Sequence, residues 1–202
     1  MHCRLELYPQ SPISQTAGVN RGVGLWTVGH GNRSSEDLVA VLAEQRIELL
    51  ADVRRFPGSR RHPQFGRDAL EAELREHGVD YQWWGETLGG RRKAVDGVSR
   101  HPAWTDEAFR AYADHMDRPE FREAFSQLLS LTGTTRIAVM CSETLWWHCH
   151  RRLLSDAAEL AGTPVVHLIG PGRGEPHRLH RAVRRGADGW PVYDVGVQPE
   201  LL

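Results

Sequence analysis

Residues 25–53 read LWTVGHGNRSSEDLVAVLAEQRIELLADV. Two apolar runs, Leu25–Gly29 and Glu48–Val53, flank a segment in which Leu38, Val41 and Leu42 recur at helical spacing. Ser34 followed by Asp37 resembles a capping box, so a helix is expected from there to about Arg46. Strand, amphipathic helix and strand in so short a span suit a crossover unit, because parallel strands need such a connection.

The alternation continues outward. Helices are expected at Arg67–His77, Thr105–Met116, from Pro119 to about Leu131, and at Cys149–Ala161, where Gly162 ends the last. Strands are expected at Val79–Trp83, Arg136–Met140 and Pro164–Ile169. These strands read as apolar runs rather than alternating patterns, which requires cover on both faces. The expected fold is α/β: a mainly parallel sheet of about five strands, helices on both faces, one domain. Residues 1–23, with Pro9, Pro12, Gly18 and Gly22, read as a flexible lead-in. Residues 24–170 hold the α/β domain. Residues 171–202 read as a basic C-terminal extension packed on or near it, with an extended piece WPVYDVGV. Residues 85–104 read as a long loop, a length that is usually functional or mobile.

A chain of 202 residues, 40% hydrophobic and 25% charged, is long enough to bury a core. Its apolar runs are too short to span a bilayer, and MHCRLELYPQSP contains no apolar signal region. The expected location is the cytoplasm, with no membrane partner. Three cysteines cannot all pair within the chain, which argues against a disulfide scaffold. A net charge of −1 gives no global field for nucleic acid. The arginines, however, are clustered: Arg54, Arg55, Arg60, Arg61 and Arg67 within 54–67, then Arg91 and Arg92 beside Lys93, the only lysine. Clustered guanidinium forks suit phosphate or carboxylate groups.

Ligands of parallel sheets lie beyond the C-terminal strand ends, which here selects His30, Asp52–Arg54, Trp83–Trp84, Cys141–Glu143 and Gly170–Gly174. The densest chemistry is CSETLWWHCHRR, residues 141–152. The phosphatase pattern C-x5-R fails there, because the residue six after Cys141 is Trp147. Zinc is not expected: CxxC is absent, and the adjacent residues His148, Cys149 and His150 should point in different directions on a helix. Buried packing is the favoured reading of Cys141 and Cys149. Glu143 is read as functional, because a carboxylate directly after a core strand is costly to bury without a role. Asp52 is read either as a buried partner of Arg54 or as a second carboxylate in the same pocket. GHGNRS, residues 29–34, lacks the Walker spacing and lysine, and His30 is a candidate base. Tyr81, Trp83 and Trp84, beside Gly89–Lys93, suit base stacking near a backbone site.

TVGHGNRSSEDLVAVL, ELLADVRRFPGSRRHPQF, LGGRR, and VMCSETLWWHCHRRLL followed by VVHLI together resemble the domain of unknown function 488 family over about residues 25–169. The resemblance picks out Cys141, Ser142 and Glu143, then Cys149, His150 and Arg151, and also Asp52, Arg54, Arg60 and Arg61. It implies the fold and a pocket and says little about the reaction.

The leading functional expectation is a hydrolase acting on DNA or a nucleotide-like substrate, in its most concrete form cleavage of an N-glycosidic bond in base excision and DNA repair. Glu143 would be the catalytic carboxylate, assisted by Asp52 or His30. Arg54, Arg60, Arg61, Arg91, Arg92 and Arg151 would hold phosphates, and Tyr81, Trp83 and Trp84 the base. No cofactor and no metal are expected. The alternatives are redox or sulfur-transfer chemistry on a thiol site of Cys141, Cys149 and His150, a phosphate- or nucleic-acid-binding module without turnover, and, as a minor option, a metal site open to elemental analysis.

Overall fold

The computed structural model describes residues 24–58, 61–95 and 97–197. The lead-in expected at residues 1–23 and the candidate Arg60 lie outside the described residues. Strands β1 (Leu25–Gly29), β2 (Leu49–Asp52), β3 (Asp80–Trp83), β4 (Ile137–Cys141) and β5 (Val165–Gly170) lie parallel in the order β3-β2-β4-β1-β5. A sixth strand, β6 (Arg173–Pro176), adds antiparallel to β5, one more than the expected count. Its residues, RGEP, are all exposed, so no apolar signal marked it.

Alternate strand residues serve opposite faces, as the strand period of two requires. Trp26, Val28, Leu50, Ala138 and Met140 face the helices α1 (Ser35–Glu44) and α2 (Arg67–Glu76). Leu25, Leu49, Ala51, Ile137 and Val139 face α4 (Glu107–Met116), α5 (Pro119–Leu131) and α6 (Arg151–Leu160). Cys141 belongs to this second face, which brings its thiol toward α4 and α6. The caps follow from the sequence. Ser34 Oγ accepts from the Asp37 amide at 3.1 Å, Asp106 caps α4, and Pro119 opens α5.

Two segments depart from the expected pattern. The stretch read as a loop at 85–104 contains a short helix, α3 (Gly85–Leu88). Tyr112 Oη and His115 Nε2 donate to the Leu88 and Thr87 carbonyls at 2.7 Å each, pinning it to α4. The last helix begins at Arg151 rather than Cys149, because Trp146–His148 forms a tight 3-10 turn that folds the chain back first.

A buried polar chain ties the C-terminal segment to the sheet. Asp156 accepts from His177 Nε2 at 2.9 Å, from the His180 amide at 2.8 Å and from Tyr193 Oη at 2.9 Å. His177 must then carry its proton on Nε2, so its Nδ1 accepts from His167 Nε2 at 2.9 Å. His167 Nδ1 in turn accepts from the Thr27 hydroxyl at 2.7 Å. Each of these hydrogen bonds then joins one donor to one acceptor. Tyr193 lies on β8 (Pro191–Tyr193), which pairs antiparallel with β7 (Val183–Arg185), and so anchors this hairpin to α6.

That arrangement has a pH consequence. Burial, then the neighbouring His177 and Arg151, hold His167 far below the ordinary imidazole range, and burial, then Arg92 and Arg118, lower His115 to about 4. Above pH about 6.5 both imidazoles are neutral in the folded and unfolded chain, and their contribution is fully present. As pH falls below that value the unfolded chain takes up protons that the folded chain refuses, so stability is lost. The melting temperature is expected to drop by at least about 5 °C between pH about 7.5 and about 4.5. A flat profile over that window would contradict it.

Candidate active site

A cleft of about 470 Å³ opens beyond the C-terminal ends of β1, β2 and β4. His30 follows β1, Arg54 and Arg55 follow β2, and Cys141, Ser142 and Glu143 end β4. Gly90 and Arg91 close one side, and Ala108, Phe109 and Tyr112 of α4 another. The position obeys the strand-end rule, and it needs a tight junction beneath it. A Cβ on Gly29 would stand 1.9 Å from the Glu143 carbonyl oxygen, so only glycine lets β1 approach that turn.

Arg54 is the organising side chain. It is buried, and Asp52, also buried, accepts from its Nε at 2.9 Å and its Nη2 at 2.6 Å. Asp52 accepts again from Tyr81 Oη at 2.7 Å. Arg54 Nη1 donates to the Phe65 carbonyl at 2.8 Å and to His30 Nε2 at 3.3 Å. His30 must therefore hold its proton on Nδ1, which donates to the Gly31 carbonyl at 3.0 Å. Burial and the Arg54 charge lower His30 to about 4, so it sits in the cleft wall as a neutral ring stacked on Phe65 at 4.2 Å. Asp52 does not line the cleft, and it acts there only through Arg54.

Glu143 lines the cleft and is exposed, which removes the burial argument that singled it out. Among the described residues its carboxylate has no hydrogen-bond or ion-pair partner, while its backbone is fixed: Arg151 Nη2 donates to the Glu143 carbonyl. Arg151 is 1% exposed and spends its guanidinium inside, on that carbonyl, on Thr27 Oγ1 at 3.4 Å and on Cys149 Sγ at 3.4 Å. It braces the turn and is not turned toward a phosphate.

Other expected contacts also lie elsewhere. Tyr81, Trp83 and Trp84 border a separate shallow depression with Arg67, because β3 is the edge strand on the far side of β2. Trp83 Nε1 donates to the Arg54 carbonyl at 2.9 Å, a supporting role. Arg92 donates to the Gly89 and Glu86 carbonyls at 2.7 and 2.6 Å, closing the C-terminal end of α3. Arg61 is exposed and outside the cleft lining. Arg91 does line it.

Phe56, His62, Phe109 and Tyr112 line the cleft without having been singled out from sequence, while Arg55 was named only in the arginine cluster and His148 only as a rejected zinc donor. Phe56 is 65% exposed, an aromatic that directly follows Arg54 and Arg55 in DVRRFPG. That placement, an apolar ring in a basic Pro-Gly segment, was the one available signal. Arg55, Phe56 and Arg91 also line a neighbouring groove of about 660 Å³ with Arg92, Lys93 and Arg118. Among the described residues no carboxylate borders that groove, which meets the cleft at Arg55, Phe56 and Arg91.

The two thiols meet at the cleft floor. Cys141 Sγ and Cys149 Sγ lie 3.8 and 3.6 Å from His150 Nδ1, and all three atoms fall within 4.8 Å of one another. The objection that neighbouring donors must diverge does not hold for this trio, because the 3-10 turn returns Cys149 to Cys141. The Arg151 amide and Nε donate to Cys149 Sγ at 3.5 and 3.4 Å. Burial pushes Cys149 up, but the Cys141 thiol and Arg151 together outweigh it and lower it, while donation to Cys149, with burial, raises Cys141.

The family model described as Domain of unknown function DUF488 matches residues 34–158, and the chain belongs to that family. The matched span runs from the start of α1 into α6 and contains Arg54, Arg91, Glu143 and the thiol pair. No curated protein and no solved structure matches the chain.

Proposed function

We propose that the cleft belongs to an enzyme that hydrolyses an N-glycosidic bond in a nucleic-acid or nucleotide-like substrate, as in DNA base excision and repair. The observation that carries this reading is one cavity holding the carboxylate of Glu143, unpartnered among the described residues, cationic side chains from two separate segments, Arg55 and Arg91, and the exposed ring of Phe56. Phosphates would lie along the basic groove and a base would enter the cleft against Phe56, Phe109 and Tyr112. Glu143 would take a proton from water as the water oxygen bonds to the sugar carbon. The electron pair of the breaking C–N bond would leave with the base, which then takes up the proton that Glu143 removed from water. Asp52 and His30 serve this reading as positioning residues for Arg54. No described helix is long and apolar enough to cross a membrane, and the free thiols of Cys141 and Cys149 suit the reducing cytoplasm.

Duplex and single-stranded DNAs carrying altered bases, incubated with the full chain and then treated with alkali, test the reaction. Strand breaks confined to one lesion class are the expected result. Intact strands across the panel would remove the glycosidic reading.

A further inference from the structure

The trio at the cleft floor is arranged for a role that N-glycosidic chemistry does not use. Zinc bound tetrahedrally has Zn–S distances of about 2.3 Å and Zn–N distances of about 2.0 Å, which set the S···N edge of the tetrahedron at about 3.5 Å. The two S···N separations, 3.6 and 3.8 Å, are close to that edge. The donors come from a strand end and from a turn that precedes a helix, so the metal-ready spacing is a product of the fold.

The surroundings hold each donor in place. Cys149 Sγ accepts from the Arg151 amide and guanidinium, which hold the sulfur in place beside the other donors. The His150 ring is clamped between Tyr112, at 4.9 Å between centroids, and the backbone of Gly90. A Cβ on Gly90 would stand 2.7 Å from His150 Nδ1, so the bare backbone is what lets the ring occupy this orientation. Cys141 is fixed by β4, inside the sheet. All three residues line the cleft.

We infer that Cys141, Cys149 and His150 form a binding site for one thiophilic divalent cation, zinc foremost, with a coordination position open to the cleft. Two thiolates and an imidazole suit zinc over magnesium or calcium, which prefer oxygen. Three protein donors with an open fourth position is the pattern of a centre that binds water or a substrate atom, whereas a purely structural zinc is closed by four. The inference stands apart from the proposed reaction.

The test is metal binding by the full chain, reduced and handled without air. Wild type is expected to retain about one equivalent of zinc after exhaustive dialysis. Cobalt(II) added to the metal-free protein should produce a thiolate-to-cobalt absorption band that saturates at the same stoichiometry. Cys141→Ser and Cys149→Ser should lose the band, His150→Gln should lose or shift it, and Cys3→Ser should keep it. Because the buried cysteine variants can unfold, wild-type cobalt titration is the deciding measurement, with circular dichroism read on each variant. No cobalt band in reduced, folded wild type overturns the inference. So does a band that survives in both folded variants, Cys141→Ser and Cys149→Ser. A Cys141–Cys149 disulfide in air-exposed protein, together with no cobalt binding after reduction, overturns it in favour of a redox thiol pair.

Discussion

Asp52→Ala is expected to lower stability by about 3–5 kcal/mol, read by chemical denaturation. The carboxylate is fully buried, and its removal leaves the buried Arg54 guanidinium with only the Phe65 carbonyl and His30 Nε2 as partners. Tyr81 Oη loses its acceptor at the same time. The cost is that of an uncompensated charge in the interior, which is larger than the net worth of the pair. Asp52→Asn keeps one oxygen acceptor and the side-chain volume, so its loss should be smaller. The effect should also reach the cleft, because Arg54 is held in its wall by Asp52. A loss below about 1 kcal/mol for Asp52→Ala would mean that Arg54 finds water or another partner, and that the pair does not organise the site.

Glu143→Gln is expected to do the reverse: little to the fold, much to turnover. The side chain is exposed and unpartnered among the described residues, while Arg151 holds the backbone whichever side chain is present. Stability should change by no more than about 0.5 kcal/mol, the range for surface substitutions away from special features. Loss of a general base should reduce turnover of the cleaved lesion about 10²–10⁴-fold. Single-turnover cleavage measured beside a denaturation curve separates the two effects. Full turnover in the folded variant would remove Glu143 from the chemistry.

The parallel strands and long helices were legible because burial on both faces leaves apolar runs such as LWTVG and RIAVM, and because Ser34 and Pro119 punctuate helix starts. Strand β6 was not legible: RGEP lies at a sheet edge, where backbone pairing asks nothing of the side chains. The site was half legible. Strand-end position found His30, Arg54, Cys141 and Glu143, since that rule depends on topology alone. It also pointed to Trp83 and Trp84, which sit at the end of an edge strand and miss the cleft. Arg151 looked like a phosphate ligand, and only the fold reveals that the turn above it needs a buried donor. The convergence of Cys141 with Cys149 was hidden by a spacing that becomes compact only through the turn at Trp146–His148.

Oligonucleotide binding, read by fluorescence anisotropy against salt, is the sharpest probe of whether this cleft and its basic groove receive a phosphate-bearing substrate. Wild type should bind with log K falling linearly with log salt. Arg55→Ala and Arg91→Ala should each weaken binding and reduce the slope by about 0.7–0.9. Binding that is absent at low salt, or that keeps its affinity and slope in both variants, would mean that the cleft and groove do not receive phosphate.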